Sequence, residues 1–296
     1  MSLFPRKRTA AALVLASTMV AGLAPAVALA ANPSPGDDTI DISVGDDHAG
    51  GSYLITFEKA YSNVTTDGTP VYIYVPQGSI GDSTGILGMD PDIDPNPSDE
   101  FAPCLDRTAE DYEVTQDEIN TLGQELTDQI VRVDVEHFGP VGLADPSDPD
   151  SDALVMLAYN AFDDFYYDCD ENSYTAGYFA PDMIDQYGMN VIVVDTLDWA
   201  DRVGGDDPVY EGVIAHELQH LLHNYSDTGE LSWVDEGLAD FAIFLNGWGN
   251  TNDGHMEFQQ VFHRETSLTR WGGGLENYGA RPAHLAPGLP FRLRRP

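Results

Sequence analysis

Positive charge is what this sequence has least of. Thirteen Lys plus Arg stand against fifty Asp plus Glu, a formal net charge of −37, and the only lysines are Lys7 and Lys59. A surface so acidic repels nucleic-acid phosphates and anionic lipid, so neither is an expected partner. It suits cations, calcium among them, or a salty medium. Cysteine is nearly missing too: Cys104 and Cys169 are the only two, far apart and outside any CxxC, which argues against a thiolate metal site. Beyond residue 30 no apolar run is long enough to span a bilayer, and no internal repeat signals a solenoid.

What is present begins with a leader. Pro5-Arg6-Lys7-Arg8 is a basic n-region, Ala10 to Ala24 an apolar h-region, and Ala28-Leu29-Ala30 a small-x-small cleavage site. Gly22 and Pro25 interrupt the run, so residues 1–30 read as a secretory signal peptide rather than an anchor, and a secreted, extracellular protein is expected. Its removal takes three of the thirteen basic residues and no acid, leaving a net charge of about −40. In an oxidising exterior, Cys104 and Cys169 are expected to be bridged.

Residues 31–52, rich in Asp, Gly and Ser, read as a mobile segment. "SYLITFEKAY" and "VYIYVP" read as strands, completing a β-rich region over 31–110. Its last part is an acidic loop in which Asp90, Asp92 and Asp94 imitate the opening of an EF-hand. Pro95 stands where the glycine belongs and Phe101 where the bidentate glutamate belongs, so a solvated loop is favoured and calcium is only a secondary expectation. Over 111–280, Thr115 to Glu118 forms a capping box before a helix ending near Phe138; "ALVMLAY", "AGYFA" and "NVIVVDT" read as strands. Asp207-Pro208 opens a helix to about Tyr225. Ser232 to Asp235 reads as a second capping box, opening a helix closed by Asn246-Gly247. Strands followed by a helix pair predict an α+β fold with a mixed sheet.

One stretch carries chemistry: "EGVIAHELQHLLHNY". His216 and His220, four apart on a helix, present both imidazoles on one face, about 6 Å apart along the axis, a spacing that suits one metal ion. Glu217 lies about 100° round the helix, placed to act on a water as general base without displacing a histidine. Two histidines hold a metal weakly. "SWVDEGLADF" supplies Glu236 as a third ligand, and Asp240, one turn on, as a partner for the free nitrogen of a ligand imidazole. His223 shares the face of His220 and is expected to pack or hydrogen-bond beneath the site rather than ligate.

His216-Glu217-x-x-His220 followed by Trp233-Val234-Asp235-Glu236-Gly237-Leu238-Ala239 resembles the gluzincin metallopeptidases, in which a glutamate ligand is followed four residues later by an aspartate, as with Glu236 and Asp240. Over about Thr115 to Leu245 the chain most resembles the hyicolysin-like secreted neutral metallopeptidases. The metzincin pattern does not fit, since it needs glycine where His223 stands and histidine where Ser226 stands. The resemblance implies a zincin-like catalytic domain, Zn2+ held by His216, His220 and Glu236, Glu217 as catalytic base, and protein or peptide substrates cleaved through a zinc-activated water. "YGMNVI" lacks the glutamate with which the related aminopeptidases grip an α-amine, so an endopeptidase is expected, with Asn190 to Asp195 as the edge strand that holds substrate. Tyr278, His255 and His263 are candidates to assist the oxyanion. The rival reading is a non-catalytic secreted module that binds metal or calcium; an intact Glu217 argues against it.

The last sixteen residues contain four arginines and no acid, an abrupt change that fits a truncated or frame-shifted C-terminal lobe or, equally, a genuine basic tail. With four prolines and no apolar period, this basic tail, 281–296, can bury little. Its deletion is expected to lower the melting temperature by less than about 2 °C, the effect of a surface change of about 0.5 kcal/mol in a chain of this size. Strong amide-exchange protection across Arg281 to Pro296 would show instead that the tail is an integral element.

Overall fold

The structure, a computed structural model, describes residues 12–14, 33–46, 51–81, 109–149, 151–171, 173–204 and 208–248. The Asp90–Asp94 loop, Cys104, Asp207 and the basic tail lie outside these. Strands β1 (Ala12–Val14), β2 (Thr39–Asp46), β3 (Gly51–Val64), β4 (Pro70–Pro76), β5 (Leu154–Ala158), β6 (Ser173–Thr175), β7 (Gly177–Phe179) and β8 (Asn190–Val194) form two sheets. The small one pairs β1, within the expected leader, in parallel with β6. The large one runs β2-β3-β4-β5-β8-β7. Its β2, β3 and β4 are antiparallel, β4, β5 and β8 parallel, and β7 antiparallel to β8. The α+β expectation is met: this is a mixed sheet with several helices. Since β4 pairs directly with β5, the 31–110 and 111–280 regions share one sheet.

Two strand readings need correction. The supposedly mobile N-terminal segment contains β2, whose Ile40, Ile42 and Val44 are buried while Asp41 points out. That alternation is a half-buried strand; the surrounding Asp and Gly concealed it. Asn190 to Asp195 does not form the sheet edge: β8 lies between β5 and β7, every one of its residues is buried, and the edge beside it is β7. An unbroken apolar run of this kind marks a strand covered on both faces.

The long helix opens as the sequence indicates. Thr115 Oγ1 accepts from the Glu118 N–H at 3.4 Å and Glu118 Oε2 accepts from the Thr115 N–H at 3.0 Å, capping α1 (Gln116–Glu125). A π-turn over Leu126–Ile130 then joins it to α2 (Val131–Phe138). Short helices α3 (Asp164–Tyr167), α4 (Pro181–Tyr187) and α5 (Trp199–Arg202) precede the two that matter most, α6 (Val209–Asn224) and α7 (Ser232–Asn246). The π-turn and α2 each supply one anchor to the end of α7. Gln129 Nε2 donates to the Asn246 carbonyl at 2.7 Å, and Asn246 Nδ2 donates to Asp134 Oδ1 at 2.7 Å. Gly247, with φ at 95°, ends α7 where the sequence places its stop. Among the described residues no helix is long and apolar enough to cross a membrane.

Helix α6 is buried on every side from Tyr210 to Leu222, because it packs at once on α7, α2, β7 and β8. That is why imidazoles sit among its apolar residues. Gly177 of β7 makes the close approach possible, since a Cβ there would meet Val213 Cγ1 at 2.6 Å and the Val193 carbonyl oxygen at 2.7 Å. The backbone atom cannot yield cheaply. Gly177→Ala is therefore expected to destabilise the fold by about 1–3 kcal/mol in a denaturant titration. A midpoint like that of the parent would show that β7 and α6 are not in contact as described.

Candidate metal centre

Helix geometry builds the centre from two elements. One turn of α6 separates His216 from His220, and their Nε2 atoms lie 3.1 Å apart. Helix α7 crosses this face and brings Glu236 Oε2 to 3.4 Å from His216 Nε2 and 3.8 Å from His220 Nε2. His216 and Glu236 have no solvent exposure and His220 only 5%. Among the described residues this is the one group of three or more His, Cys, Asp or Glu side chains able to hold a metal ion.

Each imidazole turns its other nitrogen to a carboxylate of α7. His216 Nδ1 lies 3.2 Å from Asp240 Oδ1, and Asp240 is fully buried. His220 Nδ1 lies 3.1 Å from Asp235 Oδ1, and His223 Nδ1 approaches the same oxygen at 3.1 Å. Asp235 is the residue the sequence reading missed. Its spacing from Ser232 matches a capping box, but α7 starts at Ser232 with Leu231 as its uncapped N-cap, and Asp235 faces α6 instead. His223 stays out of the ligand group, in line with its expected supporting position. Helix α6 starts at Val209, with Pro208 preceding rather than opening it.

The electrostatics follow from burial and these contacts. Burial pulls the His216 imidazole down, but Asp240 and Glu236 outweigh it and hold its pKa up at about 10. Burial also lowers His220, yet the bond to Asp235 and the nearby Glu236 raise it overall. Burial would raise Asp235, but His220 and His223 hold its carboxyl well below the usual carboxylate range. Imidazoles and carboxyl groups thus meet in a dry interior, where a charge on one must be balanced by its neighbours. A metal ion held by His216, His220 and Glu236 would supply positive charge at this place.

Glu217 is 1% exposed, and burial pushes its carboxyl up, against the pull of His216 and His220. It accepts a hydrogen bond from the Phe179 backbone on β7, while Oε2 is buried without a hydrogen-bond partner among the described residues. A carboxyl so placed can exchange a proton with a group entering the pocket. Tyr278, His255 and His263 lie outside the described residues. Cys169 is disulfide-bonded.

No family model matches this chain. The search of curated proteins likewise returned no match. The site therefore stands on its own geometry.

Asp240→Ala leaves all three ligand residues in place and frees the His216 ring to rotate. Metal affinity in a chelator competition is expected to weaken by about 10–100-fold, with about one ion still bound per chain at saturation. His220→Ala is expected to abolish stoichiometric binding. Full occupancy in the His220→Ala protein, measured by elemental analysis, would remove this group as the metal centre.

Proposed function

We propose that the chain is a secreted zinc endopeptidase of the gluzincin type, similar to the hyicolysin-like metallopeptidases. The observation that carries this reading is the buried set of His216, His220 and Glu236 with the Glu217 carboxyl beside it. Two imidazoles and one carboxylate form the donor set of many catalytic zinc sites. A tetrahedral ion with ligand bonds of about 2.0–2.1 Å spaces its ligands by about 3.3 Å. The edges here, 3.1, 3.4 and 3.8 Å, bracket that value. Calcium, which takes six to eight oxygens at about 2.3–2.6 Å, suits this set poorly.

Zinc, when bound, supplies Lewis acidity toward a substrate carbonyl and a lowered pKa for water. The chain's own residues do the rest. Asp240 and Asp235 hold the two imidazoles with Nε2 pointing inward. Glu217 Oε2 takes a proton from the attacking water and returns it to the leaving amine, a role suited to a carboxyl whose pKa is raised by burial.

Substrate is aligned by β7 rather than by β8. The Asp195 N–H donates to the Ala176 carbonyl at 2.9 Å, so Ala176 and Tyr178 spend their main-chain groups on β8. By antiparallel alternation those of Gly177 and Phe179 face away from the sheet, where the Phe179 N–H meets Glu217. An extended peptide laid along this edge passes beside the proton-transferring carboxyl.

Glu217→Gln is expected to retain zinc at about one ion per chain and to lose at least about a hundredfold in hydrolysis of a casein substrate. Protein with zinc bound that cleaves nothing even with Glu217 intact would favour the non-catalytic module. Undiminished turnover in the variant would take Glu217 out of the mechanism.

A further inference from the structure

Resting on that reading, we infer that His223 is a positioning residue for the zinc centre, acting through Asp235 on the ligand His220. Three observations meet here. Asp235 Oδ1 lies 3.1 Å from both His220 Nδ1 and His223 Nδ1, so one carboxylate oxygen accepts from two imidazoles. The Asp235 side chain is one-third exposed, at 34%, whereas its counterpart on the other ligand, Asp240, is sealed in at 1%. His223, 12% exposed, meets that same Asp235 oxygen from α6, one turn along from Gln219.

The consequence is an asymmetry between the two ligand histidines. Packing alone confines Asp240, so His216 needs no further support. Asp235 sits at the open side of the helix pair, where a carboxylate can rotate into water and release His220. A second N–H donor on the same face restricts that rotation. His223 supplies it as the Nδ1–H tautomer. The approach of Gln219 Nε2 to that nitrogen at 3.4 Å then brings two donors together and adds no bond. The sequence thus runs ligand, two intervening residues, then the residue that holds the ligand's partner.

The test compares wild-type, His223→Leu and His223→Asn proteins. Asparagine places an N–H donor close to the position of His223 Nδ1; leucine fills similar space without one. Zinc affinity is read by chelator competition and zinc content by elemental analysis, beside the melting temperature of the metal-free form. His223→Leu is expected to bind one zinc about tenfold more weakly, within the range for loss of a ligand's outer partner. His223→Asn is expected to recover most of that loss, with the metal-free melting temperatures of all three close together. Wild-type affinity in His223→Leu would overturn the inference while leaving the zinc centre standing, and a complete loss of zinc would make His223 a ligand instead. A wild-type protein that takes up no zinc would overturn both readings. If the leucine variant does not fold, imidazole nitrogen spectra of zinc-loaded wild type decide the matter. An Nδ1–H tautomer at His223 supports the inference and an Nε2–H tautomer overturns it.

Discussion

The pairing of buried carboxylates on α7 with imidazoles on α6 is the interaction on which the rest of this structure depends. Glu236 and Asp240 have no solvent exposure, and neither does His216. A carboxylate taken out of water without compensation costs several kcal/mol, more than most single contacts return. The imidazoles of α6 that face these carboxyl groups supply the partners that burial would otherwise deny them. Were an ion to bind among them, folding and metal binding would become one linked equilibrium in this part of the molecule. The polar clamp at the far end of α7 has the same logic. Asp134, buried and raised well above the ordinary carboxylate range by desolvation, accepts from Asn246 and holds the helix at the depth the centre requires.

What could be read from the sequence was what depends on short-range periodicity. His216 and His220 need only one helical turn, and Thr115 with Glu118 needs only one cap, so both came out as written. Glu236 could be named only as an acidic residue of the next helix, with the resemblance in support, since nothing in local spacing says that two helices will cross there. The order of strands was not readable. Nothing within "NVIVVDT" distinguishes an edge strand from one flanked by neighbours, and β7, the actual edge, is three residues long. Strand β2 was concealed for a different reason. Ile40, Ile42 and Val44 alternate within a stretch, 31–52, whose average composition is polar.

The position of the Glu217 carboxyl also has a non-local cause. Gly177 lets α6 press against β7 closely enough for Glu217 Cγ to come within 3.5 Å of where a Cβ at that position would lie. A strand that brings its backbone this close to a buried carboxyl must give up a side chain at the contact. The glycine is thus a geometric requirement of having a main-chain edge and a buried acid at the same place.

Asp235 shows how a local rule and a tertiary demand compete for one residue. Ser-Trp-Val-Asp has the pattern of a capping box, and a cap is worth about 0.5–2 kcal/mol to a helix start. In the structure α7 begins one residue earlier relative to that pattern, no side chain caps it, and Asp235 is drawn to His220 and His223. The helix still gains from a negative charge in its first turn, about 0.3–1 kcal/mol, so the loss is only partial. Two hydrogen bonds from imidazoles, each strengthened by the ionised acceptor, outweigh the remainder. A capping signal left unmade at the start of a helix that lines a cluster of titratable groups is a local conflict, and such conflicts concentrate where a structure serves chemistry rather than its own stability.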